Sequence, residues 1–193
     1  MPRKTDKRLR LVEAAMVLIH QQSFNLTTLA DIAHKADVPL GNVYYYFKNK
    51  EEICLELWRR WHIEHIVLVK KLSEKNKEVK KFLMEFIDGF FEYSKIHRHY
   101  FRIKFEFSSI SIFNEKYQKM IDEFCEKWMD IFLVYKTQFK EPEKYISFIK
   151  LFLSVIDGLI FRYTVQENFE LDEQFKIEFR KMINLYLKEN LKK

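Results

Sequence analysis

Only three glycines and three prolines are spread over 193 residues. So little turn chemistry argues against β-hairpins and leaves no glycine-rich loop to cradle a phosphate. Cysteine is scarcer still. Cys54 and Cys125 stand far apart and form no CxxC pair, which indicates neither a disulfide framework nor a zinc site and fits a reducing, cytoplasmic setting. No apolar run suits a signal peptide or a membrane span. The most apolar stretch, residues 145–165, is broken by Lys150, Asp157 and Arg162, each costly at a bilayer centre. Catalytic patterns are missing too, with no nucleophile elbow, Walker loop or plausible triad. His62 and His65 lie one helical turn apart without the glutamate of an HExxH motif, and His97 and His99 diverge on a helix. Neither a metal, nor a cofactor, nor an enzyme is expected.

What is abundant is aromatic and basic. Nineteen Phe, ten Tyr and three Trp supply core material, and a chain this long buries enough of it to fold without staples. The net charge of +6 favours an acidic partner. Its position matters more than its size, because Arg3, Lys4, Lys7, Arg8 and Arg10 crowd the first ten residues against Asp6 alone. These residues make a basic arm.

Apolar spacing of three and four predicts helices throughout. Leu9, Val12, Met16 and Ile19 mark the first. Leu29, Ile32, Ala33 and Ala36 mark a short second, opened by Thr28 and Asp31 in a capping-box pattern. A tight break at Asp37, Val38 and Pro39 leads to a third over residues 40–47, with Leu40, Val43 and Phe47 inward and Asn42, Tyr44 and Tyr45 outward. Asn49 with Glu52 starts a fourth, which runs through Ile53, Leu57, Trp61 and Leu68 to about residue 72. Beyond the charged stretch 73–81, helical patterns return at Phe82, Phe86 and Phe90, at residues 117–135, at 142–166 from Pro142, and at 172–191. Residues 100–110 alternate like a strand through Phe101, Ile103, Phe105 and Phe107. Since a lone strand has no partner for its backbone groups, this segment too is expected to be a short helix. The predicted class is all-α, with about nine helices.

Two short helices joined by a tight turn and followed by a capped helix make a helix-turn-helix, whose second member enters the major groove of DNA. The stretch TTLADIAHKADVPLGNVYYYFKNKEEI, residues 27–53, resembles the signature of the tetracycline-repressor (TetR) family in its threonine, its isoleucine-alanine step, and its glycine, tyrosine, phenylalanine and lysine at matching intervals. Elsewhere the resemblance rests on helical layout and on the Asp157-Gly158-Leu159 step. Two positions depart from the pattern: Asp37 where glycine is usual, and Pro39 where a serine or threonine caps the recognition helix. The resemblance implies a DNA-binding domain at 1–50 and a larger ligand-binding and dimerisation domain at 51–193.

For DNA contact the residues suggest Thr27 and Thr28 at the start of the second helix, Leu40, Gly41, Asn42, Tyr44 and Tyr45 on the third, and Lys48 and Lys50 after it. Thr28 combines a hydroxyl with free amides, although a plain cap is the alternative. Gly41 costs a short helix stability, which suggests a close approach by the sugar-phosphate edge of a groove, although a tolerated surface glycine is the alternative. Asn42 can pair with an adenine edge and Leu40 can touch a thymine methyl. Lys50 sits where the helix dipole disfavours a cation, which makes sense beside a phosphate.

A single recognition helix reads too few base pairs, so a homodimer on a palindromic operator is implied. By resemblance the last two helices form its interface, with Gly158, Phe161, Phe179 and Tyr186 as candidates. The helices between support a pocket for a small apolar or aromatic effector, with Trp61, Phe86, Phe90, Phe105, Trp128 and Phe152 as candidate lining, although core packing predicts the same composition. The function expected is that of a repressor released from its operator by this effector. The rival reading is a helical adaptor or membrane-surface protein that uses the basic arm electrostatically.

Overall fold

The computed structural model describes residues 4–192, without the side chains of Lys4, Thr5 and His99. Arg3 and the side chain of Lys4, both in the basic arm, and the side chain of His99 lie outside the described residues. Nine α-helices follow one another among the described residues: α1 (Lys4–Gln22), α2 (Leu29–Lys35), α3 (Leu40–Tyr46), α4 (Lys50–Lys75), α5 (Val79–Ile96), α6 (Arg98–Ser111), α7 (Glu115–Leu133), α8 (Pro142–Val165) and α9 (Glu173–Asn190). A single 3-10 turn, Lys136–Gln138, precedes α8. The expected all-helical class is what is found. The chain forms two compact units, one of residues up to Ile63 together with His99–Gln118, the other of Glu64–Arg98 and the chain from Lys119 onward. This division falls inside α4, and the first unit takes in α6.

In the first unit α1 buries Leu11, Val12, Ala15 and Ile19, while Leu9 and Met16 of the anticipated stripe stay partly exposed. The inward face is thus centred one step around the helix from the expected one. Ile32 and Ala33 of α2, Val43 of α3 and Phe47 after it complete this side of the core. Helix α6 joins it from far along the chain. Trp58 of α4 lies 5.1 Å from Phe107 between ring centroids, and Arg102 donates to the His20 carbonyl at the end of α1, at 3.0 Å. The strand-like alternation of α6 dissolves on a helix, where Ile103 and Phe107 are four apart and buried, Phe101 is buried beside them, and Phe105 is half-exposed.

The second unit is built around aromatic rings. Helix α5 buries Phe82, Phe86 and Phe91, and α8 buries Tyr145, Phe148 and Phe152. Phe152 stacks on Phe179 of α9 at 5.8 Å, and Phe148 stacks on Tyr186 at 4.2 Å. Pro142 opens α8 in its first turn, where its missing N–H costs nothing. Asp172 caps α9 by accepting from the Phe175 amide at 2.7 Å. The charged stretch after α4 is shorter than its composition suggests, since α5 starts at Val79. Tyr135 holds this turn by donating to the Asn76 carbonyl at 2.6 Å, and Gln138 accepts from the Val79 amide at 2.9 Å.

Candidate nucleic-acid interface

The interface begins with a capped helix. Thr28 is extended at the N-cap of α2; its hydroxyl accepts from the Asp31 amide at 3.1 Å, and the Asp31 carboxylate accepts from the Thr28 amide at 2.9 Å and from its hydroxyl at 2.6 Å. The capping box is closed, and those hydrogen bonds hold the Asp31 carboxyl below the usual carboxylate range. Thr28 is exposed but already committed as a cap. Thr27 is fully buried, and its hydroxyl donates to the Ser23 carbonyl at 2.7 Å, which removes it from any surface.

Between α2 and α3 the chain turns through a left-handed residue, Asp37, at φ 51. The Asp37 amide donates to the His34 carbonyl at 3.1 Å and the Val38 amide to the Ala33 carbonyl at 3.0 Å, the paired bonds of a Schellman C-cap. Val38 is buried beneath the turn. Pro39 then stands at the N-cap of α3 without a side-chain cap, and only its carbonyl serves, accepting from the Asn42 amide at 2.8 Å. Its φ of −55 suits the helix that follows.

Helix α3 has one dry side and one wet side. Val43 is fully buried and Phe47 nearly so, which anchors the helix. Gly41 and Asn42 are exposed, as are Tyr44 (58%) and Tyr45 (65%). Leu40 is 41% exposed and so lies on this outer side, not inward as its spacing suggested, because at the first turn of so short a helix it projects past the core. Tyr46 is half-buried, with its ring edge-on to Tyr45 at 5.1 Å. A Cβ added at Gly41 would meet nothing within 4 Å, so the chain itself supplies no close approach there. Lys48 is exposed, and its amide donates to Glu52 at 2.9 Å, while Asn49 accepts from the Glu52 amide at 2.9 Å, so α4 is capped as its sequence suggested.

Three cations near this helix are occupied within the unit, a feature the sequence did not reveal. Lys50 donates to the carbonyls of Phe24 at 2.9 Å, Asn25 at 3.2 Å and Thr27 at 3.1 Å, so backbone oxygens solvate an ammonium that keeps its charge. Arg8 lies over the Phe47 ring at 4.5 Å and pairs with Glu56 at 3.0 Å, and Glu56 also accepts from Arg60 at 3.0 Å. Burial pushes the Glu56 carboxyl up, but Arg60 and Arg8 together outweigh it and leave it below its ordinary value. Arg10 reaches the Asp37 turn. None of these partners is closer than 23 positions except Arg60, so no local pattern could have found them.

Of the anticipated effector residues, Trp61 of α4 and Phe105 of α6 belong to the first unit, and Phe86, Phe90, Trp128 and Phe152 belong to the second. Phe86 and Phe152 are 5.7 Å apart and Phe86 and Trp128 6.3 Å, all packed around Phe132 as core rings. His62 is buried between Trp58 and Trp61, with Nδ1 at 2.8 Å from the Trp58 carbonyl. Along α8 and α9 an open apolar groove of about 540 Å³ is lined by Phe148, Leu151, Phe152, Phe179, Met182 and Tyr186 among others. Two of the expected interface residues, Phe179 and Tyr186, line it. Phe161 is half-exposed on α8, and Gly158 is exposed with open space over its Cα. No described helix is long and apolar enough to cross a membrane.

Residues 11–57, from α1 into α4, match the family model "Bacterial regulatory proteins, tetR family". Over 59 residues the chain is 34% identical to the fatty acid metabolism regulator protein of Bacillus subtilis, covering 31% of this chain and 30% of that one. Over 74 residues it is 36% identical to the HTH-type transcriptional regulator TtgR of Pseudomonas putida, covering 38% and 35%. These matches span about a third of the length of the curated relatives. The fold extends further: a TetR family transcription regulator from Marinobacter aquaeolei VT8 superposes with a TM-score of 0.71 at 17% identity over 99% of this chain and 98% of that one. With the capped α2, the turn and α3 all lying within the matched segment, residues 11–57 carry the helix-turn-helix of the tetR family of bacterial regulatory proteins, and the all-helical fold beyond them is shared with a solved regulator.

Proposed function

We propose that this protein is a dimeric, sequence-specific DNA-binding transcription regulator, a repressor that a small apolar or aromatic effector releases from a palindromic operator. One observation carries the reading: on α3, Val43 and Phe47 are buried while Asn42, Tyr44 and Tyr45 are exposed, so the helix is rigidly held with a polar outer face of the width a major groove admits. In this reading Leu40 and Asn42 contact base edges, and Tyr44, Tyr45 and Lys48 contact phosphates. Gly41 allows the sugar-phosphate edge to come close. Thr28 contributes through its cap, and Thr27 and Lys50 through the loop they hold.

The first unit is the DNA reader and the second the sensor and dimerisation unit. A second copy of the chain is the proposed occupant of the α8–α9 face, where Leu151 and Met182 line the apolar groove and Leu151 and, on α9, Leu185 are each 65% exposed. Gly158, open in the single chain, would let the two copies approach closely. The tetR-family match of residues 11–57 and the regulator names of its relatives support this over catalysis. Release would follow from linkage, because an effector that binds better to the conformation with wrongly spaced recognition helices lowers operator affinity by that preference.

The test is selection of bound sequences from random duplex DNA. Recovery of a palindrome with half-sites about one helical turn apart is the expected result. Binding that falls with salt but ignores sequence would favour the adaptor or membrane-surface reading instead.

A further inference from the structure

The turn between α2 and α3 is built at a position that L side chains avoid. Asp37 is the residue after the C-cap Ala36, at φ 51, in a Schellman motif whose left-handed place is usually taken by glycine. The amides of Asp37 and Val38 are bonded back into α2, while the carbonyls of Ala36 and Asp37 accept from outside the turn. One guanidinium nitrogen of Arg10, on α1, takes both. It donates to the Ala36 carbonyl, to the Asp37 carbonyl at 2.9 Å and to the Asp37 carboxylate at 3.1 Å. The carboxylate itself is almost wholly exposed, so the ion pair alone adds little. The backbone contacts matter more, because they fix the peptide groups on both sides of the left-handed residue.

We propose that Arg10 is a positioning residue for DNA binding: it latches the turn, holds Asp37 in the conformation that a glycine would adopt unaided, and so sets the angle at which α3 leaves α2. The proposal rests on the DNA-binding reading above. It assigns an arginine of the basic arm to the protein's own backbone rather than to a phosphate. The sequence context agrees, since Pro39 gives α3 no side-chain cap and the turn's geometry must be held from outside.

The experiment compares four full-length proteins: wild type, Arg10→Met, Asp37→Gly and the double variant. Each is titrated against the duplex recovered by selection over a range of salt. Arg10→Met should weaken binding about tenfold or more without changing the salt slope. In the Asp37→Gly background, where the turn needs no latch, the same replacement should cost less than about threefold. An equal cost in both backgrounds, or a slope lowered by about one, would make Arg10 a phosphate ligand and overturn the proposal. Amide exchange at Asp37 and Val38 gives a readout free of DNA. Faster exchange in Arg10→Met, restored by Asp37→Gly (read at position 37 and at Val38), supports the latch, and unchanged exchange rejects it. Should wild type select no duplex at all, the DNA-binding reading fails while the exchange data still decide whether the latch exists.

Discussion

The ammonium of Lys50 lies 2.9 Å from the Phe24 carbonyl oxygen and 4.5 Å from the centre of the same residue's ring. With the Asn25 and Thr27 carbonyls, this makes Lys50 the fastener that joins the start of α4 to the loop between α1 and α2. Replacing it by methionine strands several carbonyls and should cost about 1–3 kcal/mol of stability in urea titration. If stability holds and the salt slope of DNA binding falls by about one instead, Lys50 works as a phosphate ligand.

Tyr45 and Asn42 share the outer face of α3 but are assigned different tasks. Tyr45→Phe removes only a hydroxyl, and should weaken binding by a similar factor on every sequence. Asn42→Ala should instead relax the preference at one base pair by about 1–3 kcal/mol. Affinities measured on the selected duplex and on single-position variants separate the two; a sequence-independent loss at Asn42 would remove it from base readout.

Leu185 on α9 is 65% exposed and contributes little to the fold of a single chain. Leu185→Glu should therefore leave the helical circular dichroism intact while shifting sedimentation from dimer to monomer and abolishing tight operator binding. A dimer that survives this change places the second copy elsewhere.

The pairing of Glu56 predicts an acid-side dependence. Its carboxyl titrates lower folded than unfolded, so its contribution is present above the unfolded value of about 4.3 and is lost as pH falls through the lower folded value. The stability gap between wild type and Glu56→Gln should accordingly be widest near neutrality and should close at acid pH. A gap independent of pH would mean that the pairing with Arg8 and Arg60 adds nothing.

Much of the fold was legible because its signals are local. Thr28 with Asp31 and Asn49 with Glu52 announced two helix starts through bonds three residues long, and both caps are present. Val43 and Phe47 were legible in the same way, four apart on α3. The segment around α6 was ambiguous because its aromatic residues line more than one side of the helix, which imitates alternation. What the sequence withheld is carried by long-range partners. The oddity of a cation opening α4 was visible, but its explanation sits in carbonyls 23 to 26 positions earlier. The place of α6 was withheld for a similar reason, since nothing near Phe105 announces that this helix packs with the first unit.

That packing has a bearing on how the molecule is made. The residues up to Ile63 cannot complete their interior without His99–Gln118, because Phe107 supplies the ring that meets Trp58. A ribosome must therefore finish α4, all of α5 and α6 before the first unit can close. Until then Trp58 lacks the Phe107 ring, and a fragment cut at residue 63 would lack it for good.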